Sequence, residues 1–250
     1  MIEASHARER AMAFLMAESD GLARSCALVV GGGEKPAEAL AHLVESERVA
    51  EQPAQWQRIF ETLDDIGALG SGLAARVCAR LSSQQRENGS WSGVEPTSEA
   101  GEIFCTGMIA GYLAKTRFVR QRALELAADH LATLWNPDRV KGDAWESTAA
   151  YFHCFSLIRH ESADAILQWC GRELQRGLVT GVYDAVRTTR VFVWCRAHAL
   201  PGASLRRDEL LERLVGEQCD DGGFRRSDGD SVPARVAHTL DALVGLVYLG

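Results

Sequence analysis

The chain has 250 residues, a formal net charge of −7 and a composition that is 46% hydrophobic and 24% charged. These proportions are typical of a folded globular protein and exclude a disordered or fibrous chain. The acidic balance and the scattered basic residues argue against a nucleic-acid partner, because a phosphate backbone requires a clustered basic surface.

Three further features bear on location. The first residues lack the basic start and apolar run of a signal peptide. No stretch of the sequence approaches the ~18 uncharged apolar residues of a membrane span. The seven cysteines are odd in number and at least 16 residues apart, which favours buried thiols over a disulfide framework or a CxxC metal site. We therefore expect a cytoplasmic protein with no membrane span.

Helical periodicity dominates the chain, because apolar residues recur three and four positions apart while strand-type alternation is scarce. This pattern predicts an all-α protein of about twelve helices. The predicted ranges are 5–18, 21–30, 36–50, 54–67, 71–86, 98–115, 118–135, 145–158, 161–176, 184–198, 205–218 and 233–249.

From residue 70 onward, two kinds of helix alternate. Helices with a polar stripe, typical of an outer layer, begin near 71, 118, 161 and 205. Each is followed by a more apolar helix, typical of an inner layer, near 98, 145, 184 or 233. The outer helices begin 47, 43 and 44 residues apart, which indicates four repeated helical hairpins. Residues 1–69 are less regular.

Two segments share one motif. Gln85 to Trp91 and Gln218 to Phe224 each run from a glutamine through Asn-Gly or Asp-Gly to an aromatic residue, and a further 15 residues lead to Thr106 and Thr239. A glutamine at the end of an outer helix can bond free backbone groups, and the glycine supplies a left-handed turn. The motif therefore predicts a joint between helices.

These segments resemble the QW-type repeat of the squalene cyclase and protein prenyltransferase superfamily, roughly Q-x-x-D/N-G-G/S-W/F. The resemblance covers about residues 70–250. It implies a single α/α toroid domain over residues 1–250, with inner helices around a cavity. Since this fold carries cyclases, transferases and inactive relatives, the resemblance is more specific for fold than for chemistry.

The superfamily's catalytic motifs are incomplete here. Thr62 stands where the first Asp of the class II Asp-x-Asp-Asp acid belongs, and no Asp-Asp-x-x-Asp of class I follows Asp65. Prenyltransferase zinc needs an Asp, a Cys two residues later and a distant His. Asp184 and His238 match, but Val186 replaces the Cys, so we expect no metal. No nucleotide motif is present, and we expect no cofactor.

The starts of the inner helices are unusually polar, with charged pairs three residues apart that share a face. In a toroid these starts would gather at one mouth of the cavity. Capping accounts for acids such as Asp143 and Asp184, but arginines are disfavoured near a helix start. The candidate catalytic residues are Glu99, Glu102, Asp184 and His238. The candidate substrate-binding residues are Asp143, Glu146, Arg187, Arg190, Arg235, Tyr151, Phe155 and Phe192.

These residues favour a cyclase or lyase of specialised metabolism, in which carboxylates move protons, arginines bind an anionic group and aromatic side chains shape the pocket. Ring closure by proton transfer to a terpenoid alkene and ring closure with expulsion of sulfate or phosphate both stay open. The competing class is a non-catalytic toroid that binds a ligand or scaffolds a partner.

The N-terminal part leaves a question of ring closure. Two further hairpins of about 45 residues each would need about 90 residues, but only 69 precede the regular repeats. Either the first two hairpins are shortened, or the ring is incomplete and a partner chain closes the seam.

Overall fold

The computed structural model describes residues 2–19, 21–92, 98–225 and 231–250. Within these ranges the chain forms twelve α-helices, one short 3₁₀ helix at Pro137–Val140 and no strand, which confirms the all-α prediction. The helices are α1 (Ile2–Glu18), α2 (Gly21–Gly32), α3 (Ala37–Val49), α4 (Pro53–Asp65), α5 (Gly72–Ser83), α6 (Glu99–Ala114), α7 (Gln121–Thr133), α8 (Trp145–Phe155), α9 (Ala163–Thr180), α10 (Ala185–Cys195), α11 (Arg207–Gly216) and α12 (Val232–Leu249).

The chain divides into two compact units. Unit 1 comprises Met1–Leu43, Tyr183–Ala199 and Ser204–Gly250, and unit 2 comprises Val44–Val182 and Leu200–Ala203. The single-domain organisation stays a prediction of the sequence.

In unit 2, helices α6 and α8 form the most extensive helix pair. Gly107 permits their close approach, since a Cβ atom there would lie 2.6 Å from the carbonyl oxygen of Ala150. A Cβ atom at Gly111 would likewise lie 2.4 Å from Cγ of the His153 ring. The Tyr112 ring meets His153 edge-on at 4.5 Å between centroids. Two glycines and one ring contact therefore allow α6 and α8 to pack closely.

In unit 1, helix α12 packs against α1, α2, α10 and α11. Among the described helices it alone is long and apolar enough to cross a membrane, by length and mean hydropathy, and 44% of it is buried. Its packing against four neighbours is typical of a core helix. The cytoplasmic location stays a prediction.

The two Gln-to-aromatic segments are built alike. The Gln85 side-chain amide donates to the carbonyl oxygens of Gly89 (3.0 Å) and Ala123 in α7 (2.8 Å). The Gln218 amide donates to those of Gly222 (2.9 Å) and Ala7 in α1 (2.8 Å). In each unit, the glutamine therefore ties its own turn to a neighbouring helix.

The glycines of these turns have matching backbones as well. Gly89 and Gly222 have φ angles of 89° and 88°, which favour glycine. A Cβ atom at Gly89 would lie 2.2 Å from the carbonyl oxygen of Leu126, and one at Gly222 would lie 2.4 Å from that of Arg10. Helix α1 therefore packs against the second segment in the same way as α7 packs against the first.

The N-terminal residues supply further helices. Residues 2–65 contain four helices, and α1 and α2 contact each other and α12 within unit 1. The last repeat therefore docks on the first helix. A partner chain that closes the seam stays a prediction.

Candidate functional site

The start of α10 brings together three of the residues that were predicted from the sequence. Asp184 is the N-cap of α10, and its Oδ1 accepts the backbone N–H of Arg187 at 2.6 Å. Its Oδ2 lies 3.6 Å from Nε2 of His238 in α12 and 3.9 Å from Nε of Arg187. The His238 side chain is only 4% exposed. One oxygen of the carboxylate is thus fixed by the cap, and the other faces two cationic or potentially cationic groups.

A second carboxylate reaches the same helix start. Both oxygens of Glu217, the C-cap residue of α11, lie 2.9 Å from the backbone N of Ala185 and accept its hydrogen. Although Glu217 as a whole is exposed, its carboxyl group lies against the first turn of α10. Desolvation there raises its pKa, the backbone N–H groups of Ala185 and Val186 oppose this rise, and the charge of Asp184 adds to it. No motif or spacing in the sequence singled out Glu217.

Further along α10, Arg190 is buried, with 2% of its side chain exposed. Its Nε lies 3.2 Å from Oδ1 of Asp241 in α12, and its guanidinium lies 5.1 Å from the Trp194 ring centroid. A buried guanidinium is costly unless it is paired, so the Asp241 carboxylate stabilises it. We call Asp184, Arg187, Arg190, His238 and Asp241 the α10–α12 seam. The predicted Phe192 is fully buried in α10.

Arg235 makes different contacts. Its Nη2 donates to both oxygens of Asp221 at 2.9 and 2.8 Å, and its guanidinium lies 4.8 Å from the Phe14 ring centroid. The ion pair lowers the pKa of Asp221. Arg235 borders an open cleft of about 310 Å³ beside α1. The cleft is lined by Ala13, Phe14, Ala17, Glu18, Asp221, Val232 and Arg235.

The predicted acids of unit 2 lie at the start of α6. Glu102 pairs through Oε1 with Nε2 of His130 at 2.8 Å, and through Oε2 with Arg86 at 3.4 Å. Glu99 is 57% exposed and pairs with Arg139 at 2.5 Å. Both acids therefore have cationic or imidazole partners within their own unit. The convergence of Glu102 with the unit 1 residues on one mouth stays a prediction.

Asp143 and Glu146 are both exposed. Asp143 does not cap α8, since the N-cap residue is Ala144, which has no capping side chain. The expectation that Asp143 serves as a helix cap was therefore wrong. The cause is a boundary one residue later than a capping Asp would require.

Tyr151 and Phe155 pack in unit 2 as an aromatic cluster. Their rings stack at 6.2 Å, and Trp135 meets Tyr151 edge-on at 4.9 Å. The Tyr151 hydroxyl is buried without a hydrogen-bond partner among the described residues, and burial raises its pKa. This hydroxyl is the polar feature that distinguishes the cluster from ordinary core packing.

The nearest match to the class II acid motif is Asp64, at the end of α4. It pairs with Lys115 at 2.5 Å, and the Lys115 and Asp64 side chains are only 1% and 8% exposed. The Asp64 carboxylate is therefore held by an ammonium group. In the part of the chain that the structure describes, no group of three His, Cys, Asp or Glu side chains could hold a metal ion.

No protein-family model and no curated protein matches the sequence. The structure is similar to that of a variant of MstE, a type II terpene cyclase from Scytonema, in complex with its substrate geranylgeranyl dihydroxybenzoate. The TM-score is 0.61 at 12% identity, and the match covers 99% of this chain and 98% of that chain. At this identity the likeness shows the fold, and it confirms the predicted α/α toroid class.

Proposed function

We propose that the protein is a small-molecule cyclase that acts on a terpenoid substrate, with Asp184 and His238 as its proton-transfer pair. The observation that supports this best is a carboxylate and an almost fully buried imidazole that face each other at the start of a helix. Their burial is costly for the fold and useful for acid chemistry, because pairs of titratable groups in such surroundings are typical of catalytic sites.

The geometry suits a directional acid. Oδ1 of Asp184 is held by the backbone N–H of Arg187, so the proton to be transferred resides on Oδ2. In the protonated state, Oδ2 gives its proton to an alkene carbon, the π electrons form the new C–H bond, and a carbocation results. Attack by a second alkene closes the ring. His238 and the N–H of Arg187 stabilise the carboxylate, and loss of a proton from the cyclised cation returns the pair to its starting state.

Arg187 gives the proposed site a preference for terpenoids that carry an anionic group. Arg187 lies 3.9 Å from the same carboxylate oxygen and keeps 19% of its side chain exposed. A guanidinium binds carboxylate, phosphate or sulfate through paired hydrogen bonds. A prenyl chain that ends in an anionic head therefore fits better than a neutral hydrocarbon. A leaving sulfate or phosphate would use the same arginine.

The test is conversion of a prenylated hydroxybenzoate, followed by mass spectrometry for a cyclised isomer of unchanged mass. The wild-type protein should form this isomer, and Asp184→Asn should lower the rate by about 10²-fold or more, the usual contribution of a positioned acid. Asp208→Asn removes an exposed carboxylate and is the matched control, expected to keep full activity. Full activity of Asp184→Asn would exclude this acid.

The second candidate is a non-catalytic toroid that binds a ligand, and Thr62 favours it, because the Asp-x-Asp-Asp acid is incomplete. Under that function, the prenylated hydroxybenzoate would be recovered unchanged from the complex. Arg187→Ala would then weaken its binding, while Asp184→Asn would have no effect on the bound compound's chemistry.

A further inference from the structure

Glu217 makes an unusual contact with the peptide that follows Asp184. Both of its carboxylate oxygens lie 2.9 Å from the nitrogen of Ala185. Asp184 already caps α10 through the N–H of Arg187, at 2.6 Å. The start of α10 therefore binds two carboxylates, where one is enough for a cap. The second one fixes the peptide unit that connects Asp184 to the helix.

The first repeat offers a built-in comparison. Glu217 directly precedes Gln218, and Gln84 directly precedes Gln85 in the matching segment. Gln84 is neutral and donates through Nε2 to the carbonyl oxygen of Glu51 at 3.3 Å. This position carries a charge only in the copy that lies next to Asp184. A joint between helices alone does not need that charge, as the first copy shows.

Several charged groups act on this carboxylate. The charge of Asp184 in α10 raises the pKa of Glu217 and that of Arg213 in its own helix lowers it, while His238 and Arg187 lie 3.6 and 3.9 Å from Oδ2 of Asp184. Arg190 and Asp241 neutralise each other one turn further along α10. The negative charge of Glu217 therefore acts on the Asp184–His238 pair, and it favours the states in which that pair holds a proton.

We propose that Glu217 is a positioning residue for the Asp184–His238 pair: its carboxylate orients the peptide that follows Asp184 and places a second negative charge beside the pair. The importance for turnover rests on the proposed cyclase function. The effect on proton affinity does not, and it can be measured without any substrate.

The experiment is an NMR titration of the His238 imidazole in the full chain, with its resonance assigned by comparison with His238→Asn. Glu217→Gln keeps an oxygen that can accept the Ala185 N–H and removes the charge. We expect the pKa of His238 to fall by roughly half a unit, the order of magnitude for the loss of one nearby negative charge. Glu212→Gln removes a charge from the exposed face of α11 and should leave it unchanged.

Glu217→Asp provides a second test, because it keeps the charge and withdraws the carboxylate by one methylene group. It should shift the His238 pKa less than Glu217→Gln does. The proposal is overturned if Glu217→Gln moves the pKa of His238 no more than Glu212→Gln does, or if Glu217→Asp moves it as far as Glu217→Gln.

Turnover separates this proposal from the function it serves. With an active wild-type enzyme, Glu217→Gln should move the alkaline limb of the pH–rate profile to lower pH and leave KM unchanged, which a purely structural role would not do. If wild type forms no cyclised product while the His238 pKa still shifts, the cyclase function fails and the positioning role stands. If the wild-type protein forms the cyclised product but the His238 pKa does not shift in Glu217→Gln, the cyclase function stands and the positioning role of Glu217 is excluded.

Discussion

Helices α6 and α8 in unit 2 approach through small residues, with Gly107 against the backbone of Ala150. Helices α10 and α12 in unit 1 meet through charged side chains, with Arg190 on Asp241 and Asp184 facing His238. Close packing of backbones gives stability with no chemistry of its own. A charged seam is a weak source of stability, and its charges are groups that can hold and move protons. The contrast agrees with the proposal that the acid of the site lies at the α10–α12 seam in unit 1.

The two repeats show a similar contrast at their equivalent positions. Glu102 of the first repeat meets His130, whereas Arg235 of the second meets Phe14 and Asp221. The hydrogen bonds of the turns are the same in both. The joint is therefore constant, and the charges around it vary.

The largest expected loss of stability comes from adding a side chain where α6 and α8 approach each other. Gly107→Ala should destabilise the protein by about 3 kcal/mol, because the new methyl group meets a backbone oxygen that cannot rotate away. Urea denaturation measures the change. Gly216→Ala is the control, since nothing lies within 4 Å of a Cβ there, and it should be neutral or stabilising by about 0.5 kcal/mol. Wild-type stability of Gly107→Ala would contradict the close approach.

The charged seam should respond differently. Asp241→Ala leaves the Arg190 guanidinium buried without its carboxylate and should cost about 2 kcal/mol, less than for a fully buried pair because Asp241 is 37% exposed. Replacing both residues, with Arg190→Met and Asp241→Leu, should restore most of the loss. Urea denaturation of the single and double variants gives the coupling. Additive losses would show that the two side chains do not interact.

The shared joints should be of equal strength. Gln85→Ala and Gln218→Ala each remove two hydrogen bonds to backbone carbonyl groups, and each should cost about 1–2 kcal/mol. Gln84→Ala, which removes one long bond on the surface, should cost less. A negligible effect of Gln218→Ala beside a large one of Gln85→Ala would show that α1 does not play the part of α7.

The sequence predicted the helices well, because periodicity records which face of each helix is buried. The spacing from Gln218 to Phe224 and Thr239 also predicted a joint. Less of the candidate site could be predicted from the sequence. Asp184 and His238 could be singled out through the family resemblance, but Glu217 binds a backbone N–H 32 residues away, and a backbone donor leaves no trace in a sequence.

Arg235 shows the same limit. Its position at a helix start made it a candidate for binding substrate, whereas the structure pairs it with Asp221, which the sequence marked only as part of a turn. The choice between two nearby partners depends on side-chain direction. Three-residue spacing specifies a shared face and leaves that direction open.

The smallest expected change in stability tests the ion pair between Asp221 and Arg235. Asp221→Asn installs the residue that the first repeat carries as Asn88, and its side-chain oxygen can still accept the N–H of Gly223. Because Arg235 lowers the pKa of Asp221 in the folded protein, the ion pair adds stability above the ordinary carboxyl pKa of about 4, and this contribution is lost as the pH falls through the lowered value. Since Asp221 is half exposed, the variant should lose only a few tenths of a kcal/mol at pH 7. Urea denaturation at pH 7 and near pH 2.5 should show this difference shrinking at the lower pH, and added salt should reduce it at pH 7. A deficit that persists unchanged in acid would contradict the ion pair as its source and would mean that Asn is a poorer residue in this turn than in the first repeat.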